Sequence, residues 1–198
     1  MPTVRETFQR LVDLLEAHQT PFVVIGGLAV GLQGEPRATL DVDVLVTLAP
    51  ADVSKLAHAA QASGWNIDPV AATTQWRFTG FVRFFLGPRG HQVAADLMGN
   101  ASAYFKEVMW RAQVTRLFDR RVPVATPEDL VVMKCSAWRE KDIPDLRGLL
   151  RRHEGKLEFG HIRKWLRWFS EQSKQFEAMP KRFEALVSGA ELPPAIRD

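Results

Sequence analysis

Over residues 3–18, Val4, Phe8, Leu11, Val12 and Leu15 recur at helical spacing, which predicts an amphipathic helix. Pro21 interrupts that pattern, and Phe22-Val23-Val24-Ile25 is a short apolar run that reads as a buried strand. Gly26-Gly27 ends it, and residues 28–33 read as a short helix closed by Gly34 and Pro36. The clearest strand covers 40–47, where Leu40, Val42, Val44 and Val46 form an apolar face and Asp41, Asp43, Leu45 and Thr47 the other. A helix over 52–63 follows and stops at Gly64. Residues 77–86 and 91–98 read as two strands of a hairpin joined by Gly87-Pro88-Arg89-Gly90. A helix over 101–110 then precedes two short strands, 113–118 and 121–125, paired across Asp119-Arg120.

The pattern changes at Thr126-Pro127-Glu128-Asp129, a helix start with a capping threonine, proline at the first helical position and acids in the first turn. Beyond it the periodicity is helical throughout, over 127–139, 142–152, 158–173 and 176–187. The expected fold is therefore α+β: a small mixed-sheet α/β domain over 1–125, a helical region over 126–190 and a loose tail over 191–198.

Composition narrows the class without naming a function. The chain has 198 residues, 46% of them hydrophobic, enough for one compact domain or a small domain with a helical annex. No segment approaches the ~18 apolar residues of a membrane span, and no signal-peptide pattern opens the chain, so the expectation is a cytoplasmic protein with no membrane partner. The single cysteine, Cys135, excludes an internal disulfide and sits in an apolar helical pattern, as a small buried residue does. A net charge of +3 points to no partner by itself.

The Asp-Val-Asp of 41–43 carries the chemistry. Residues two apart on a strand project from one face, about 6.5–7 Å apart along the backbone. Two such carboxylates repel unless a cation sits between them, and Mg²⁺ or Mn²⁺ suits an all-oxygen site. A solvated strand face shows the same alternation without any ion. Three neighbours favour the chemical reading: Gly26-Gly27 between strand and helix, where bare backbone N–H groups can approach a phosphate; Arg37, able to pair with phosphate oxygens; and Asp96 on a later strand as a third acid.

With those residues in place, the segment 26–46, Gly-Gly-Leu-Ala-Val-Gly-Leu-Gln-Gly-Glu-Pro-Arg-Ala-Thr-Leu-Asp-Val-Asp-Val-Leu-Val, resembles the signature of the nucleotidyltransferase (polymerase-beta-like) superfamily, and within it bacterial AbiEii-type toxin nucleotidyltransferases. The resemblance implies that Asp41, Asp43 and Asp96 bind the metal, with Asp96 also helping to deprotonate an acceptor hydroxyl, and that Gly26, Gly27 and Arg37 meet the nucleotide. Residues 126–146 resemble the helical motif that follows such catalytic domains, which implies that Lys134 faces the triphosphate. A lysine laying its stem along the core would look the same in sequence. Asp142 and Asp145, at i and i+3, read equally as members of that motif or as a cap and an exposed acid. The departure is Gly27, where many active members carry serine.

The expected activity is transfer of a nucleoside monophosphate from a nucleoside triphosphate to an acceptor hydroxyl. The rival is a catalytically degenerate domain acting by contact, as a toxin or antitoxin component with a cognate antitoxin protein among its partners. A glycosyltransferase also uses Asp-x-Asp, but it needs a longer α/β chain and has no use for the Gly-Gly turn. For the acceptor, the cations Arg147, Arg151, Arg152, Lys156, Arg163, Lys164 and Arg167 beside Trp165 and Trp168 favour RNA, with tRNA the leading candidate. Trp165, Leu166 and Phe169 also fit a helix core stripe.

Overall fold

A computed structural model describes residues 1–99 and 102–196. The chain forms two compact units, one of residues 1–29 and 37–125, the other of 30–36 and 126–196 among the described residues. The linear reading had placed all of 1–125 in the first unit. Among the described residues no helix is long and apolar enough to cross a membrane.

The first unit is built on a seven-stranded mixed sheet: β1 (Phe22–Ile25), β2 (Asp41–Val46), β3 (Trp65–Asn66), β4 (Phe81–Leu86), β5 (Val93–Met98), β6 (Gln113–Leu117) and β7 (Arg120–Val124), in the order β3-β4-β5-β2-β1-β7-β6. β1 lies inside the sheet, antiparallel to β2 and parallel to β7, and all four of its residues are buried, as the unbroken apolar run predicts. β2 runs parallel to β5, and β5 antiparallel to β4. Cross-strand partners share a face, so Val42–Ala95–Phe84 and Val44–Leu97–Val82 make apolar rows, all buried. The helix α1 (Val4–Ala17) packs on β2 and β5 with Phe8, Leu11, Val12 and Leu15 buried, its first turn capped by Thr3; α2 (Gly26–Gln33) follows β1 and α3 (Pro50–Ala62) follows β2. Leu40, expected on that apolar face, lies before the strand and is exposed.

Two elements are absent from the sequence reading: the two-residue strand β3 and a helix before β4. Residues 69–79 form α4 (Pro69–Thr79), and the strand expected from residue 77 starts only at Phe81. Asp68 caps the helix by accepting from the Val70 and Ala71 N–H groups at 2.9 and 3.2 Å, Pro69 opens it, and Gly80 closes it at φ +64°. Its threonines look strand-like in sequence, but Thr73, Thr74 and Thr79 donate their hydroxyls to the Pro69, Val70 and Gln75 carbonyls at 2.7, 3.0 and 2.8 Å. The hairpin loop is also longer than four residues, since Leu86 pairs with Val93. The helix expected from 101 is α5 (Ala103–Arg111), capped by Ser102; Ala101 is outside the described residues.

The second unit holds α6 (Pro127–Ala137), α7 (Asp142–Arg152), α8 (Phe159–Gln172) and α9 (Met179–Ser188), packed around buried Leu130, Leu146, Leu149, Ile162, Leu166 and Phe183. The last helix starts later than expected, behind a 3₁₀ turn at Lys174–Phe176. Segment 30–36 joins this unit through specific bonds: the Arg152 guanidinium donates to the Gly34 carbonyl at 2.9 Å, and Arg151 pairs with Glu35. The tail is not loose over its described part, because the Trp138 indole donates to the Pro193 carbonyl at 3.2 Å and the Ile196 N–H to the Trp138 carbonyl at 2.8 Å. Cys135 is fully buried, and burial pushes its thiol up to about 12, which suits a packing residue and not a nucleophile.

Candidate active site

The face of the sheet opposite the apolar rows carries one row of charge. Asp43 on β2 is in register with Asp96 on β5, and Asp96 with Arg83 on β4. Asp41 lies one pleat earlier on β2. Oxygens of Asp41, Asp43 and Asp96 come within 4.8 Å of one another, which brings together the three acids singled out in the sequence. Asp41 and Asp43 are half-buried, whereas Asp96 is only 4% exposed, and a polar group buried that far needs a hydrogen-bonding partner.

That partner is Arg83, which sequence reasoning did not find. Its Nε and Nη2 donate to the two Asp96 oxygens at 2.6 and 2.7 Å, a bidentate pair that fixes the plane of the carboxylate. The Asp96 hydrogen bond, and then the charges of Asp96, Asp41 and Asp43, raise the Arg83 pKa against the opposing effect of burial.

The glycines serve the carboxylates directly. Gly26 has φ +61°, and a Cβ there would lie 1.9 Å from Asp43 Oδ2, so only glycine fits. The Gly27 N–H donates to the same oxygen at 3.3 Å. In this structure the room left by Gly26 is therefore taken by the Asp43 carboxylate. Replacing Gly26 with alanine forces both a left-handed backbone and a displaced Asp43, and is expected to cost about 1–3 kcal/mol of stability by urea denaturation. A change under about 0.5 kcal/mol, the usual surface value, would contradict this close approach.

Gly27 has its own explanation. A Cβ on it would meet Thr39 Oγ1 at 2.3 Å, so the space beside the second glycine is filled by a threonine hydroxyl from the segment before β2. That hydroxyl donates to Asp41 Oδ1 at 2.8 Å. Arg37 is exposed; its Nη1 donates to the Ala38 carbonyl at 3.1 Å and its Nη2 lies near Gly27.

Lys134 belongs to the helical unit, and there it is buried. Its ammonium lies 2.6 Å from Asp142 and 2.8 Å from Asp145, both of which are buried too, so neither acid is an exposed one. Asp142 also accepts from the Arg139 backbone N–H at 3.0 Å and from its Nε at 2.8 Å. In the same unit His161 meets Asp129 at 2.9 Å, a buried contact that the sequence pattern did not single out.

The donor set fits a hard divalent cation: three carboxylates on two neighbouring strands, all oxygen, with their backbone held by the sheet. Nothing in the set favours a soft metal, since histidine and cysteine are absent from it.

No curated protein matches the chain. Several solved structures share the fold, and two of them serve for comparison. One is an antigenic nucleotidyltransferase-like protein from Paracoccidioides brasiliensis, with a TM-score of 0.51 and 16% identity, covering 90% of this chain and 92% of that one. The other is the lincosamide antibiotic adenylyltransferase LnuA in its lincomycin-bound form, with a TM-score of 0.52 and 18% identity, covering 74% of this chain and 96% of that one. The family described as "Nucleotidyl transferase of unknown function (DUF2204)" matches residues 4–184. That match takes in the carboxylate row and most of the helical unit, and the chain belongs to this nucleotidyl transferase family.

Proposed function

We propose that this protein transfers a nucleoside monophosphate from a nucleoside triphosphate to an acceptor hydroxyl, releasing pyrophosphate. The observation that carries the reading is the cluster of Asp41, Asp43 and Asp96, within 4.8 Å of one another beside the glycine turn. In this reading the three acids hold Mg²⁺ or Mn²⁺, which when bound neutralises phosphate charge and polarises the reacting oxygens. Thr39 fixes the rotamer of Asp41 through its 2.8 Å bond. Arg83 holds Asp96 in one orientation, and each Asp96 oxygen keeps a second lone pair for the ion or for the acceptor's proton. Positioning and charge neutralisation by these fixed groups supply most of the rate.

Arg37 is the cation proposed to meet the phosphates from the first unit. Lys134 has a narrower part: its charge is already neutralised by two carboxylates, and a triphosphate reaches it only by displacing one of them. The AbiEii-type likeness extends the reading to a toxin with a cognate antitoxin, and to RNA as the acceptor. What supports RNA is the set of exposed cations Arg147, Lys156, Lys164 and Arg167. What weakens it is that Arg151 and Arg163 are paired with Glu35 and Glu184, and that Trp165 is buried. A small-molecule hydroxyl is therefore the better first choice of acceptor.

The test is thermal unfolding with each of the four nucleoside triphosphates, with Mg²⁺ and with EDTA. At a hundredfold excess over Kd, the right nucleotide with Mg²⁺ should raise Tm by roughly 5–10 °C, and chelation should abolish the rise. If no nucleotide gives a metal-dependent shift, the transfer reading fails and a degenerate binding module takes its place.

A further inference from the structure

A second feature of the first unit lies at the other end of the strands that carry the acids. The C-terminal ends of β2 and β5, the last turn of α4 and one side of α5 enclose a cleft of about 880 Å³. That is within the ~300–1,000 Å³ range of pockets that hold small organic molecules. The face of α5 turned toward it is unusual. Tyr104 and Val108 are fully buried in the core, while Phe105, Lys106, Met109 and Trp110 line the cleft. Trp110 and, from α4, Phe78 are 80% and 85% exposed. Two large aromatic rings on the lining of one cleft, both open to water, are not what core packing produces, since a soluble surface seldom groups such side chains without a ligand or partner.

The charge is one-sided. Arg77 and Lys106 line the cleft, and no carboxylate is among the described residues that do. Both cations stand on exposed helix positions, and neither is in an ion pair among the described residues. Flat aromatic surface with two cations and no acid matches a ligand having an aromatic body and a negative group.

The geometry points to a second ligand site here, for a small aromatic organic anion, built by Phe78 and Trp110 as the aromatic walls and Arg77 and Lys106 as the counter-charges. It is separate from the carboxylate row, which is acidic and suits a cation. It stands or falls independently of nucleotidyl transfer.

The experiment titrates the full chain with 8-anilinonaphthalene-1-sulfonate, an aromatic anion whose fluorescence rises on binding, and with its uncharged relative N-phenyl-1-naphthylamine. The unaltered protein should bind the sulfonate saturably and more tightly than the neutral compound. Arg77→Gln with Lys106→Gln should weaken the sulfonate about tenfold or more, the scale of a lost charge-assisted contact, and the neutral compound less than about twofold. Trp110→Ala should weaken both. All three positions are exposed, and circular dichroism confirms that the variants fold. Equal affinity for the two compounds, or sulfonate binding unchanged by the double substitution, overturns the proposal.

Discussion

Asp43→Asn should abolish nucleotidyl transfer and leave the protein as stable as before, or more so. The two halves of this expectation come from one geometry. Asp41, Asp43 and Asp96 each bring a carboxylate oxygen within 4.8 Å of the others, and Arg83 contributes its bidentate contact to Asp96. Asp41 and Asp43 are like charges close together on β2, and removing one relieves their mutual repulsion when no metal is bound. Asparagine keeps an oxygen able to accept from the Gly27 N–H, now at 3.3 Å from Asp43, so the turn is not disturbed. Activity is another matter, because the amide carries no charge to bind a divalent ion. A loss on the order of 10³-fold or more is expected, at or above the scale at which one fixed group aimed at reacting charge acts. Urea denaturation in EDTA should show a midpoint equal to or above that of the parent chain. Asp96→Asn gives the contrast: it strips Arg83 of a two-point partner and should lower stability while also losing activity. An Asp43→Asn protein that transfers nucleotide at the parent rate with Mg²⁺ would remove the carboxylate row from the reaction.

The acids were legible in sequence because strand alternation is a short-range signal. Asp-Val-Asp between buried valines assigns a face with no knowledge of the rest of the sheet, and Gly-Gly between a strand and a helix marks a close backbone approach. What decided Asp96's partner was not local. A four-residue loop over 87–90 pairs Leu86 with His91 and so sets Asp96 opposite Phe81. The observed pairing of Leu86 with Val93 moves the register by two residues and brings Arg83 opposite Asp96. The charged pair was thus hidden by a loop length, with the face itself read correctly. Thr39 was hidden for a different reason: its role depends on the empty space beside Gly27, which is tertiary. The α4 helix was missed because β-branched threonines and aromatic residues favour strands on average, although Asp68-Pro69 and Gly80 carried ordinary start and stop signals. Segment 30–36 sits between two motifs of the first unit in sequence, and its tertiary bonds, to Arg151, Arg152 and His153, go with the second.

The largest loss of stability is expected from Asp142→Ala, in the helical unit. Asp142 is wholly buried and satisfies two cations at once: the Lys134 ammonium at 2.6 Å and the Arg139 guanidinium at 2.8 Å. Removing it leaves Lys134, itself buried, with Asp145 alone at 2.8 Å. A buried charge that loses a partner costs about 3–5 kcal/mol, because its desolvation remains when the attraction is gone. Against a net stability of roughly 5–15 kcal/mol this approaches unfolding, and Tm should fall by about 6–20 °C. The pH dependence carries a definite sign. Burial acts to raise the Asp142 pKa, but the Arg139 and Lys134 hydrogen bonds outweigh it and hold the carboxyl below its ordinary value. A group depressed on folding contributes its stability above the unfolded pKa, about 3.9, and loses it as pH falls through the lower folded value. The gap between the parent chain and Asp142→Ala should therefore be full at pH 7 and narrow in the acid range below about pH 4. Urea denaturation at pH 7 and at pH 3 measures both. A second variant separates the pair from general packing: with Lys134→Met in place, Asp142→Ala should cost clearly less, since no lysine charge is left stranded. If the two substitutions simply add, the ion pair does not hold the helices together and the cost lies in lost volume alone.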